Sequence, residues 1–156
     1  MGKKSWESFK VGDKLTTNSI TVTETHIVGF AGLTGDYYPL HVNEEYAKKT
    51  QFGGRIAHGP LTFCLAVGLV GQSELFGGAI MAFLGCDALR LLAPVKIGDT
   101  IKVITEVVDN RPTSKNDRGI TVINYTVVNQ EDEPILTSKM NFMMRRKRHE
   151  TLSEVK

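Results

Sequence analysis

The stretch from Ala57 to Gln72, AHGPLTFCLAVGLVGQ, constrains the fold of this chain more than any other. Pro60 suits the first turn of a helix, where its missing N–H leaves no bond unmade. Leu61, Cys64, Leu65, Gly68 and Leu69 share one face, yet Phe63, Val67 and Val70 make the helix apolar on nearly every side. Such a helix is buried over most of its surface, and Cys64 is expected to be buried with it. The run is too short to cross a bilayer: Leu61 to Gly71 is about eleven residues, and a span needs about twenty. Something else must wrap around it.

The second half of the chain supplies the wrapper. AIMAFLGCDALRLLAPV, TIKVITEVVD, GITVINYTVVN and PILTSKMNFMM are rich in β-branched residues and read as strands. KIGD, NRPTSKNDRG and NQEDEP read as turns between them. Strands joined so briefly are expected to be largely antiparallel, because parallel neighbours need long crossovers. One hydrophobic helix followed by an antiparallel sheet predicts an α+β fold, with the helix in the concavity of the sheet. A length of 156 residues predicts one domain, residues 1–156. So small a sheet leaves an edge or a face to cover, and a dimer would cover it.

Composition excludes several functions. A net charge of +2 gives no reason to expect nucleic acid. The basic run RRKRH, Arg145 to His149, reads as a solvated strand end and tail, or as a weak phosphate contact. Cys64 and Cys86 lack metal-type spacing and call for no oxidising compartment. MGKKSWESFKVGD has no apolar signal core, and Trp6 breaks the myristoylation pattern. A cytoplasmic chain with no membrane or nucleic-acid partner is expected.

The first half is loop-rich. TVTETHIVGFAGLTGD predicts a short helix: Thr23 can cap it, Ile27, Phe30 and Ala31 form its apolar face, and Gly35 ends it. His26 falls on its polar face. NEEYAKKT predicts another, capped by Asn43, and QFGGR is a turn. Between the two helices lies GDYYPLH. Pro39 biases Tyr38 toward an extended backbone. Asp36 and His41 are then close enough to converge on one small molecule such as water. Together they can take a proton from it and return one to a substrate atom. The same spacing also suits a loop cap and a packed histidine. Further on, His58-Gly59-Pro60 opens the apolar helix. The unpaired N–H of Gly59, with no side chain to shield it, can polarise a carbonyl or hold an enolate oxygen. His58 reads either as a helix-start residue with a structural hydrogen bond or as part of the site.

AGLTGDYYPLHVNEEYAKKTQFGGRIAHGPL resembles the MaoC-like, R-specific enoyl-CoA hydratases, whose motif runs Gly-Asp-x-Asn-Pro-Leu-His and then Phe-x-x-x-Ile-x-His-Gly. LLAPVKIGDTIKV continues the likeness, which covers about residues 8 to 145. The resemblance implies a hot-dog fold, a sheet wrapped around a long central helix, as a homodimer or an assembly of dimers. It implies that Asp36 and His41 bind and activate water, and that the Gly59 N–H holds the thioester oxygen. It implies reversible addition of water to C2–C3 of a trans-2-enoyl-CoA, giving an (R)-3-hydroxyacyl-CoA. Neither a metal nor a redox cofactor is expected, since CoA enters as part of the substrate.

One position departs from the motif. Tyr38 stands where the family has Asn. It can fill the acyl pocket, point away, or supply a different hydrogen bond, which leaves branched or dicarboxylic (mesaconyl-type) enoyl-CoAs open. An acyl-carrier-protein substrate is open too. Arg55, Arg90 and Lys96 are candidates for CoA phosphates, with Arg90 preferred. Phe52, His58, Ser73 and Tyr37 are candidates for the substrate pocket. A thioesterase would need an acid on or near the central helix, and Gly59 to Gly71 contains none. The rival from another class is a non-catalytic acyl-CoA-binding subunit.

Overall fold

The structure, a computed structural model, describes residues 4–147. Arg148 and His149 of the basic run lie outside them. The elements are β1 (Lys14–Thr16), β2 (Ile20–Thr21), α1 (Glu24–Thr34), α2 (Pro39–Val42), α3 (Glu44–Ala47), α4 (Gly59–Gln72), β3 (Ile80–Leu91), β4 (Thr100–Pro112), β5 (Arg118–Val128) and β6 (Pro134–Arg145). A 3₁₀ turn, Trp6–Ser8, precedes them.

Local signals fixed α1, α3 and α4 where they were expected; the four-residue α2 was not foreseen. α1 starts after Thr23, whose N–H donates to His26 Nδ1 at 3.0 Å, so His26 serves the cap. α1 stops at Gly35, which takes the left-handed conformation (φ 77°) that glycine adopts without steric cost. Asn43 caps α3 by accepting the Tyr46 N–H. α4 begins at Gly59, with Pro60 in its first turn.

The sheet is antiparallel throughout, in the order β1-β4-β5-β6-β3, with β2 also on β4. β4, β5 and β6 alternate buried and half-buried residues over much of their length, as one covered face requires. Ile101, Val103, Ile123, Tyr125, Leu136 and Met140 face α4, and Leu61, Ala66, Leu69 and Val70 of α4 complete the same core. Sheet and central helix thus form the expected α+β arrangement, a hot dog.

Three expectations need correction. β3 does not pair with β4, although KIGD is the turn that leads into β4; β3 pairs with β6 at the other end of the sheet. The chain crosses the mouth of the fold to get from one to the other. α4 is not covered on every side, because Cys64, Val67, Gly68 and Gly71 are exposed. The Cys64 thiol is therefore at the surface, as is Cys86. β1 and β2 were not foreseen, being too short to show any periodicity. Among the described residues no helix is long and apolar enough to cross a membrane.

Candidate active site

Asp36 follows the stop of α1, whereas His41 lies on the short α2 (Pro39–Val42) that Pro39 opens and not in the irregular chain expected there. After the stop at Gly35 the chain runs extended to Tyr38 (ψ 132°), as the following proline demands. Asp36 Oδ1 accepts the Tyr38 N–H at 3.3 Å, and Thr34 Oγ1 accepts the Asp36 N–H at 3.3 Å. Asp36 therefore caps its loop and still presents an exposed carboxylate.

His41 and His58 are held by main-chain carbonyls. His41 Nδ1 bonds to the Ile56 carbonyl at 2.8 Å, and His58 Nε2 bonds to the Asp36 carbonyl at 2.9 Å. A carbonyl only accepts, so each of these nitrogens carries the proton. His41 Nε2 and His58 Nδ1 are left with lone pairs. The Ile56 carbonyl is itself fixed: Ile56 bridges to Lys96, and the Ala57 N–H donates to the Val95 carbonyl at 2.7 Å. The two rings stack, with centroids 3.8 Å apart and planes 28° from parallel. Phe30 of α1 backs His58 at 5.0 Å.

The structure thus brings Asp36, His41 and His58 together, with polar atoms of all three within 4.8 Å of one another. Such a trio invites comparison with a metal centre. A metal lies near the plane of each imidazole that binds it, and two rings stacked at 3.8 Å have no such point in common. The set does not fit a shared ion.

Gly59 follows His58 as the first residue of α4, and its N–H has no acceptor among the described residues. A Cβ here would run into a terminal methyl of Leu91, the far end of an exposed side chain that would have to swing aside. His41, Phe52, Gly59, Thr62, Leu91 and Ile135 are among the residues lining a cleft of about 280 Å³. Its lining is mostly apolar.

The other sequence candidates fall elsewhere. Tyr38 is exposed and outside the cleft lining; its hydroxyl meets that of Tyr46 at 3.3 Å, and its ring stands edge-on to His41 at 6.2 Å. That hydrogen bond raises the pKa of Tyr46 above the ordinary phenol value. Arg90 is exposed, with its guanidinium on the Leu89 carbonyl at 2.9 Å, and does not line the cleft. Lys96 and Tyr37 are exposed, and Ser73 bonds to the Val70 carbonyl at the far end of α4. Arg55 is engaged with two carboxylates, Glu24 (2.7 Å twice) and Glu44 (3.2 Å). Three neighbours of the site went unnoticed in the sequence. Thr62 had a signal, since it lies one helical turn from Gly59; Phe30 and Leu91 had none, because only the tertiary fold brings them near.

The MaoC-like domain family matches residues 8–130. The chain belongs to that family. This MaoC-like chain is 38% identical to a solved Archaeoglobus fulgidus structure described as a monoamine oxidase regulatory protein. The TM-score is 0.88, and the match covers 94% of this chain and 97% of that one. It is 40% identical over 95 residues to the (R)-specific enoyl-CoA hydratase of Rhodospirillum rubrum, covering 61% of this chain and 64% of that protein. It is 36% identical over 117 residues to Protein MaoC of Klebsiella aerogenes, covering 75% of this chain. The match spans only 34% of the Klebsiella protein's length.

Proposed function

We propose that this chain is a hydratase. It adds water reversibly across the C2–C3 double bond of a trans-2-enoyl-CoA and forms the (R)-3-hydroxyacyl-CoA. One observation carries the reading: an exposed carboxylate and a lone-pair-bearing imidazole lie within 4.8 Å of each other, beside an apolar cleft rimmed by a free helix-start N–H.

The chemistry needs those three parts. The thioester carbonyl draws charge from C3, which accepts the oxygen of water, while C2 becomes enolate-like. The Gly59 N–H holds the thioester oxygen, which carries the enolate charge, a contact of the kind worth about 3 kcal/mol in the transition state. His41 Nε2 and the Asp36 carboxylate take a proton from water, and the pair returns one to C2. CoA is part of the substrate, and the reaction calls for no redox step.

The cleft narrows the choice of acyl group. Its 280 Å³ lies at the small end of ligand sites, which start near 300 Å³. A short, apolar chain fits it. Among the described residues no lysine or arginine lines it, which favours an acyl group without a second carboxylate. Tyr38, turned toward Tyr46, leaves the acyl space open.

The reading includes a homodimer. Among the described residues β3 has β6 as its single neighbour and exposes Met81, Phe83 and Leu84, while α4 exposes Cys64 and Val67. A second copy would cover both.

Hydration of crotonyl-CoA, followed by loss of enoyl-thioester absorbance, tests the function. Asp36→Asn keeps the oxygen that accepts the Tyr38 N–H, so the fold should survive. Its turnover should fall by about a hundredfold or more. A folded wild-type protein that turns over no short enoyl-CoA, or an Asp36→Asn variant at full rate, would refute the assignment.

A further inference from the structure

We propose that His58 is a positioning residue for both Asp36 and His41, an inference that rests on reading those two as the catalytic pair. His58 is fully buried, between Phe30 and His41. Its Nε2–H holds the Asp36 main-chain carbonyl across 22 residues of sequence. Its ring face carries the His41 ring at 3.8 Å. Its own backbone leads directly into Gly59 and the free N–H. One side chain thus ties together the acid, the base and the helix start.

The unused nitrogen supports this role. His58 Nδ1 is buried and has no hydrogen-bond partner among the described residues, which costs folding free energy. A phenyl ring would fill the same space without that cost. What a phenyl ring lacks is the donor to the Asp36 carbonyl. The imidazole is therefore explained by what it does for Asp36 rather than by packing. The tautomer matters too. The Asp36 carbonyl fixes the proton on Nε2, so the ring is oriented with Nδ1 turned away from that contact.

Two variants separate the contacts. His58→Phe keeps a ring beneath His41 and loses the donor; His58→Gln keeps a donor and loses the ring. His58→Phe should melt close to wild type, because removing the orphaned nitrogen offsets the loss of the hydrogen bond to the Asp36 carbonyl. Its kcat should fall about tenfold to a hundredfold with KM within about twofold, the cost of a misplaced catalytic group. In the Asp36→Asn background it should cost almost nothing more, since the group it positions is already gone. His58→Gln should keep more of the Asp36 placement, while the His41 ring protons shift as the stack is lost.

Wild-type kcat in His58→Phe would overturn the proposal. So would an equal loss in both backgrounds, or a loss that merely follows a lower melting temperature. Amide exchange of residues 35–38 in the free protein is read without substrate. Faster exchange in His58→Phe, in a protein that hydrates no enoyl-CoA, would uphold the positioning and sink the hydratase reading. Unchanged exchange would sink the positioning itself.

Discussion

Replacing Arg55 by Met should loosen the frame of the site without touching CoA. Arg55 sits in the turn that leads to His58. Its guanidinium bonds Glu24 at the start of α1 through two 2.7 Å contacts, and Glu44 at the start of α3 through one of 3.2 Å. Its side chain is 18% exposed, but the carboxylates are 52% and 44% exposed, so water screens both pairs. At about 0.5–1 kcal/mol for each pair, the loss is about 1–2 kcal/mol. For a chain of this size that lowers Tm by roughly 2–8 °C. The pH dependence has a definite sign. The hydrogen bond from Arg55 lowers the Glu24 pKa below its ordinary 4.5. A lowered carboxyl pKa adds stability above the unfolded value and loses it as pH falls through the folded one. The gap between wild type and Arg55→Met, measured by thermal unfolding from pH 7 to pH 3, should therefore close below about pH 4.5. KM for an enoyl-CoA should stay within about twofold. A gap that is constant across the range would refute the ion-pair account. A KM raised tenfold at unchanged Tm would make Arg55 a phosphate ligand instead.

Glu7→Gln should unfold more easily at neutral pH by about 1 kcal/mol, with the difference fading in acid. Burial tends to raise the Glu7 pKa, but hydrogen bonds from its own N–H, Ser5, the Lys147 N–H and Arg146 outweigh it and lower the pKa to about 2. Acid unfolding curves from pH 5 to pH 2 should show the two proteins converging. Gly59→Ala should change stability by no more than about 1 kcal/mol, because helix propensity gains what contact with Leu91 loses. The exposed Leu91 side chain must then swing at the rim of the cleft. KM should rise several-fold, and Leu91→Ala in the same chain should restore it; a double variant as poor as Gly59→Ala would disprove the steric account.

What the sequence revealed depended on how local the cause was. Helix boundaries are decided within a few residues, so Thr23, Gly35, Asn43 and Pro60 marked theirs. Asp36 and His41 were legible because a helix stop at Gly35, together with Pro39, confines them to one short stretch, although the turn of helix that carries His41 was not. The strands were legible as segments, but their order was not. Nothing in KIGD says that β3 crosses to β6, since that choice depends on which edge buries more against α4. The exposure of Cys64 had the same origin. Composition marks a helix as apolar all round, but only packing shows which face the chain leaves bare. Arg55 read as a free cation because its two carboxylates come from distant segments, residues 24 and 44.

The crossing of β3 to β6 also explains why the cleft lies where it does. Leu91 pairs with Leu136, and the Leu92 N–H donates to the Ile135 carbonyl at 2.9 Å, so the end of β3 is anchored on the start of β6. To reach β4 at the other side, residues 92–95 must pass the start of α4, where Val95 bonds to Ala57. The cleft is the gap between this strap and the first turn of the helix. Its outer wall is therefore the tail of a strand held on one side alone, with three register shifts in its pairing. A second copy against β3 would brace that wall without contacting it. Leu84, 48% exposed near the middle of β3, can test this. Leu84→Lys should shift the protein toward monomer by light scattering, and it should raise KM because the strap is freed. Dilution of wild type until light scattering shows monomer should, on the proposed homodimer, raise KM in the same way. A monomeric Leu84→Lys variant with wild-type KM would show that each copy builds its cleft alone.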